Sequence, residues 1–319
     1  MDDRYHGASR LQVGIALVTL YLVWGSTYLG IRVIVVNGMP PLPSMGLRFL
    51  IAGLLLGLVI VGRNGPAALR LTRRQLLSTA VIGLLLVFGG NGLVAVAEQD
   101  VSSGLAALLI SVTPLLLAFM RVATGDRPHP LTWLGVAFGL SGIAILVRPT
   151  GASGWLGPAT VLAAALCWST GSMISKQLLS PPDPFVSAAY QMVVAGIAQI
   201  VIGAGIEGLD GLGPDTPRDG WTALAYLILV GSLLGYTSYY WLLAHAPISL
   251  VTTYTYVNPV VAVLLGWLVL SEQVTVRMLL GGAVALTGVV FVISAERLPT
   301  RTAAPGGVAS VGLSHTGKP

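Results

Sequence analysis

Charged residues make up only 9% of the 319 positions, against about a quarter in a soluble globular protein, so a water-facing surface is excluded from the outset. A single cysteine, Cys167, rules out an internal disulfide and any cysteine-based metal cluster. The four histidines, His6, His129, His245 and His315, are spaced like no metal site. There is no Ser/His/Asp arrangement, no HExxH, no P-loop and no dinucleotide fingerprint. No enzyme activity, cofactor or metal is therefore expected, and an ATP-driven pump would need a soluble nucleotide-binding part for which this chain has no room.

What is present is apolar. Hydrophobic residues make up 55% of the chain and glycine occurs 40 times, the glycine excess being common in membrane helices. Spanning a bilayer takes ~20 mostly apolar residues, and such runs occur at about 11–36, 42–62, 75–97, 102–124, 130–148, 157–179, 184–206, 220–244, 248–270 and 276–294. They are continuously apolar rather than alternating, which excludes a transmembrane β-barrel. The first run is too long for a signal-peptide core. The expected fold is an all-α integral membrane protein of ten helices. A terminus over 1–10, a linker over 149–156 and a polar, disordered tail over 295–319 flank two blocks, 11–148 and 157–294.

A net charge of +5 suggests nucleic acid until the basic residues are located. With both termini cytoplasmic, twelve of the 17 Lys and Arg fall inside, "RLTRR" at 70–74 among them, four fall outside, and Arg48 lies within the second helix. That bias is topogenic, so the lipid bilayer is the expected partner and nucleic acid is not.

The two blocks are copies. "PPLP" at Pro40 is echoed by "PPDP" at Pro181, Ala52-Gly53 by Ala195-Gly196, "SVTPLLLAF" from Ser111 by "YVNPVVAVL" from Tyr256, and "GLSGIAILV" from Gly139 by "ALTGVVFVI" from Ala285. Offsets run only from 141 to 146 residues. Five helices is an odd number, so the second copy enters the membrane from the opposite side, which is the inverted-repeat plan of secondary transporters.

"LVWGSTYLGIRV", "LRFLIAGLLL", "SSGLAALLISVTPLLLAF", "NPVVAVLLGWLVLSEQVT" and "GGAVALTGVVFVI" together resemble the ten-helix EamA type of the drug/metabolite transporter superfamily, over Leu11 to Ser294. The resemblance implies an inner-membrane carrier, often an exporter of amino acids, related metabolites or drugs, with a central cavity between two bundles. Where that family carries a Gly-Glu pair ending the fourth and ninth helices, this chain has Gly125-Asp126 and Ser271-Glu272. A sugar or nucleotide-sugar carrier is the runner-up. A non-transporting receptor or assembly protein, which would call for a sizeable soluble domain, is the alternative from another class. A small-molecule solute is the expected partner, and a homodimer is compatible with the sequence.

Candidate solute-contacting residues are the polar and aromatic groups set deep in the runs. Tyr21, Trp24, Tyr28 and Arg32 recur at helical spacing and form one stripe; Trp24 and its counterpart Trp168 lie about halfway along their spans, where helix packing and cavity lining are equally weighted. Arg48 is two turns into its helix, too deep to face lipid. Asn91 matches Tyr236 across the repeat, and Thr113, Gln191, Tyr256 and Asn258 complete the set. Pro114 and Pro259 are expected to break their helices at matching points, freeing the carbonyls of Ile110 and Thr255, and to act as hinges. Arg32 and Lys176 are expected to snorkel to the headgroups, and Glu98 and Asp100 to be solvated charges at the outer end of the third helix.

Overall fold

The computed structural model describes residues 8–123, 125, 129–147, 154–175, 177–181 and 183–296. Asp126, Lys176, most of the 149–156 linker and the tail beyond Glu296 lie outside the described residues. Among those described there is no strand. Eight helices are long and apolar enough to cross a membrane: α1 (Arg10–Val36), α2 (Pro41–Asn64), α3 (Arg73–Ala97), α4 (Ser103–Ala123), α6 (Leu156–Ser175), α7 (Pro184–Ile206), α8 (Arg218–Leu243) and α10 (Val276–Ala295). Two shorter apolar helices, α5 (Pro130–Leu146) and α9 (Tyr254–Leu270), complete the bundle.

Polar caps start several of them. Ser9 and Gln12 form a capping box on α1, as Thr72 and Gln75 do on α3. Pro41 and Pro184 occupy first turns, where a missing N–H is harmless. Each helix buries one face and leaves a greasy one outside. On α2, Met45, Phe49, Ala52 and Leu56 are buried while Leu54 and Leu58 are exposed, a distribution that suits hydrocarbon as solvent.

Packing pairs the halves reciprocally. α2 packs on α7 and α5 on α10, while α1 packs on α8 and α9 as α6 packs on α3 and α4. At the α2/α7 crossing a Cβ on Gly46 would meet Gly196 O at 2.8 Å, and one on Gly53 would meet Ala189 O at 2.9 Å. The repeated motif "GLSG" lies against "ALTG", Gly142 on Ala285 and Gly288 on Gly139. Small residues at these crossings let backbones approach closely, the main source of helix association in lipid.

Three departures from the expected helices matter for the site. α3 winds as π-helix over Leu84–Gly92 and α8 over Leu227–Leu234, at matching places in the two copies. α4 is interrupted at Ser111–Val112, between Ser103–Ile110 and Thr113–Ala123. There the Ser111 hydroxyl donates to Leu108 O (2.6 Å) and that of Thr113 to Ile110 O (2.7 Å), taking the carbonyls the helix has released. The corresponding break is not at Pro259, which lies inside α9. It falls at Thr252–Thr253, ahead of α9, where Thr253 bonds Leu250 O and Thr255 bonds Thr252 O. Pro259 is the sixth residue of its helix, where the missing N–H leaves Thr255 O without its usual helical partner.

Candidate functional site

Between the halves lies a cavity of about 110 Å³, walled by α1, α2, α3, α4, α6, α8 and α9. Trp24, Tyr28, Arg48, Asn91, Thr113, Trp168, Tyr236, Asn258 and Pro259 all line it. Gln191, Tyr256 and Pro114 are not among its lining residues. Gln191 donates to Ser187 Oγ at 2.9 Å and its backbone lies against Gly83.

The sequence reading passed over Thr27, Ser111, Tyr254 and Thr255, which also line it. Tyr254 and Thr255 are four and three residues before Asn258, the helical step that would have found them. A continuous helix from 248 hid the point at which α9 begins.

The two mid-span tryptophans serve packing and cavity lining together. A Cβ on Gly235 of α8 would come within 2.8 Å of Trp24 Cδ1, and one on Gly90 of α3 within 2.7 Å of Trp168 Cε3. Each indole thus packs closely on a glycine of a neighbouring helix and also lines the cavity. Trp24 meets Tyr236 edge-on (centroids 5.6 Å apart) and Tyr254 likewise (5.1 Å). These rings make an aromatic wall that stacks on apolar groups and attracts cations.

Opposite in character is Arg48, 3% exposed. Its Nε donates to Ser232 Oγ (3.0 Å) and its Nη1 reaches only the Met45 thioether (3.7 Å). No carboxylate pairs with it among the described residues. Asn258 adds an acceptor, since its Oδ1 is buried with no hydrogen-bond partner. Asn91 is occupied in part, its Nδ2 donating to Leu86 O at 3.3 Å across the π turn.

Along α1 the cavity lies between two sets of contacts. Below it, Val13, Leu17 and Leu20 pack against Leu242, Ala246 and Val251, and the Tyr21 hydroxyl bonds that of Thr253. Above it Arg32 does not snorkel free: it donates to Glu98 O and Gln99 O, and its Nε is 4.0 Å from Glu272 Oε1. Glu272 in turn caps the N-terminus of α4, accepting from Ser103 N (2.9 Å), Ser103 Oγ (2.9 Å) and Gly104 N (3.3 Å). Glu98 is wholly buried, which corrects the expectation of a solvated charge.

Comparison with known proteins gives this architecture its relatives. The EamA-like transporter family model matches twice, over residues 12–148 and 155–294. The chain is 40% identical over 261 residues to the uncharacterized inner membrane transporter YedA of Escherichia coli K12, an alignment covering 79% of this chain and 80% of that protein. It is 25% identical over 289 residues to the uncharacterized transporter YoaV of Bacillus subtilis (88% and 96% covered). One solved crystal structure aligns with 91% of the chain and all of its own, with a TM-score of 0.63 at 19% identity, a likeness of fold alone. The chain belongs to the EamA-like transporter family.

Proposed function

We propose that this chain is an inner-membrane secondary transporter that exports small amphipathic solutes bearing an acidic group, amino acids and related metabolites foremost, by alternating access between two inverted five-helix halves. The observation that carries the solute class is Arg48: a buried guanidinium without a counter-charge among the described residues, lining the cavity together with an aromatic wall. A buried unpaired charge is costly, and a carboxylate on a transported molecule would supply the missing partner bidentately. The tyrosine and tryptophan faces would hold its apolar or ammonium end. At about 110 Å³ the cavity suits a small solute, and larger ones require the walls to part.

The inverted plan is supported by the reciprocal contacts. In a two-fold arrangement residue i of one copy meets j of the other while j meets i, as Gly46 with Gly196 and Gly53 with Ala189 do. Ten crossings follow if α5 and α9, at 17 residues each, span with the help of flanking turns. The basic bias of residues 63–74 supports a cytoplasmic position for that loop and both termini, with 207–219 outside.

An export and toxicity screen across metabolites, in cells overproducing the protein against an empty-vector control, tests the transport reading. At least one acidic amphipathic solute is expected to leave the cells faster, and no change for any solute would sink it. Orientation is read separately with single cysteines at Asn64 and Asp215 in a Cys167→Ser background. An impermeant thiol reagent on intact cells is expected to label Asp215→Cys and spare Asn64→Cys, and the reverse pattern would invert the topology.

A further inference from the structure

Among the described residues, the carboxyl of Glu98 is the one wholly buried acidic side chain, and the transport path described above does not use it. It is 0% exposed, and neither Oε1 nor Oε2 has a hydrogen-bond partner. An ionised carboxylate in such a place lacks both water and donors, a costly state, whereas a protonated one is tolerated. The contrast with its neighbour is sharp. Glu272, a few ångströms from the same arginine, spends both oxygens on Ser103 and Gly104.

The surroundings of Glu98 are the contacts that flank one end of the cavity. α1 brings Arg32, whose guanidinium binds the backbone carbonyls of Glu98 and Gln99 rather than the Glu98 carboxyl. It also brings Tyr28, a cavity-lining residue within electrostatic reach of Glu98. The segment between α9 and α10 brings Glu272. Of the other helices packed against this end of α3, α2 carries Arg48 as its buried charge, and α6 carries no charged residue among those described. On its own segment the nearest charge is Asp100.

We propose that Glu98 is a proton-binding site that governs the outer closure: protonated, it lets the turn between α3 and α4 stay clamped under Arg32 and Glu272; ionised, it draws water or Arg32 to itself and releases the clamp. The proton is taken from and returned to the outer water, with no other bond made or broken. The proposal rests on the alternating-access reading and on the orientation given above, and it deepens them by naming the ion to which one gate responds.

The sign follows from burial. Burial first, and the Glu272 charge second, hold the Glu98 carboxyl well above the usual carboxylate range, against the lowering influence of Arg32. The closed state therefore binds the proton more tightly than an open state in which the carboxyl meets water. Below the ordinary carboxyl pKa of about 4.3 both states are protonated and closure keeps its full stability. As pH rises above that value closure weakens, by up to about tenfold per pH unit for one proton, until the raised pKa of the closed state is passed.

The gate is read without any solute. Ile31→Cys in a Cys167→Ser background places a thiol on the cavity wall beneath Arg32, and an impermeant thiol reagent is applied to intact cells at a series of external pH values. Rates are divided by those of an Asp215→Cys protein, so that thiol ionisation cancels. The normalised rate is expected to rise at least ~5-fold from pH 5.5 to 8, within the one-proton limit. In a Glu98→Gln background it is expected to stay flat at the low, acid value, and Glu98→Asp is expected to restore the rise. An unchanged pH profile in Glu98→Gln, or high labelling of that variant at every pH, would overturn the proposal. Should Glu98→Gln not accumulate in the membrane, acid-minus-alkaline infrared difference spectra of the otherwise unaltered protein decide instead. A carbonyl band of a protonated, non-hydrogen-bonded carboxyl is expected at acid pH and lost on alkalinisation, and its absence at all pH values would overturn the site. Because neither readout involves export, a failed solute screen with intact pH dependence would remove the transport reading alone, and the converse would remove the gate alone.

Discussion

Arg48→Met is expected to cut transport of acidic solutes by about 30-fold or more while leaving the protein as abundant in the membrane, and as resistant to heat in detergent, as the parent. Both halves of this result follow from one physical fact. Without solute the guanidinium is buried at 3% exposure with a hydroxyl, a thioether and the Phe49 ring, 4.5 Å from its Cζ, for company and no carboxylate among the described residues. Exchanging an uncompensated buried ion for an apolar side chain of similar length is neutral or stabilising, and methionine fits beside Met45 and Phe49. On the function proposed above, in the loaded protein the same charge meets the solute's carboxylate. Removing one partner of a buried, hydrogen-bonded charge pair costs about 2–5 kcal/mol, a factor of ~30 to several thousand in affinity. Activity and stability should thus move apart, the usual sign of a group kept for function at the expense of stability. Uptake into proteoliposomes alongside a thermal unfolding scan measures the two. Arg48→Lys, which keeps the charge but loses the fork geometry, is expected to retain a fraction of activity. Wild-type rates in Arg48→Met would mean that the arginine only serves packing.

Arg48 was legible because lipid makes a mid-helix charge conspicuous, and the same reasoning picked out Trp24, Trp168 and Asn258. The repeat was legible because copies preserve residue pairs such as Ala52-Gly53 and Ala195-Gly196. What stayed hidden depended on backbone choices that hydropathy does not encode. A run such as "LLLVFGGNG" is equally apolar as α- or π-helix, yet the π winding of Leu84–Gly92 decides which way Gly90 and Asn91 face. The break before α9 was misplaced because proline is the loud signal and threonine the quiet one. Thr253 and Thr255 hold released carbonyls much as Ser111 and Thr113 do in α4, so in both halves the hydroxyl cluster marks the break. Glu98 was misread for another reason. Its neighbours Arg32 and Glu272 are brought from distant parts of the chain, and a local reading of a helix end sees only a loop charge.

The crossing of α5 and α10 should be the least forgiving place in the molecule, and Gly288→Val is expected to remove most of the folded protein. A Cβ at Gly288 would lie 2.5 Å from Gly135 O and 2.6 Å from Gly139 Cα. Both are backbone atoms, which cannot rotate aside as a flexible side chain would, so the helices must separate. Overpacking ordinarily costs about 1–3 kcal/mol, and here the loss extends along the whole crossing, because in lipid close van der Waals approach is what holds two apolar helices together. Against a typical total stability of about 5–15 kcal/mol, that is enough to show as lost monodisperse protein after detergent extraction. Gly62→Ala supplies the control: nothing lies within 4 Å of the added carbon, and a helical Gly→Ala change is favourable by up to ~1 kcal/mol. The reciprocity of the two copies makes a stricter demand. Gly142 is the counterpart of Gly288, and its added Cβ would meet Ala285 Cα at 2.6 Å, so Gly142→Val should be as damaging as Gly288→Val, although the two residues lie in different halves. Fluorescence-detected size exclusion of the three variants tests this directly. If both valine variants elute like Gly62→Ala, the close approach of α5 and α10 is not what holds the halves together, and if only one collapses, the crossing lacks the two-fold balance that an inverted repeat requires.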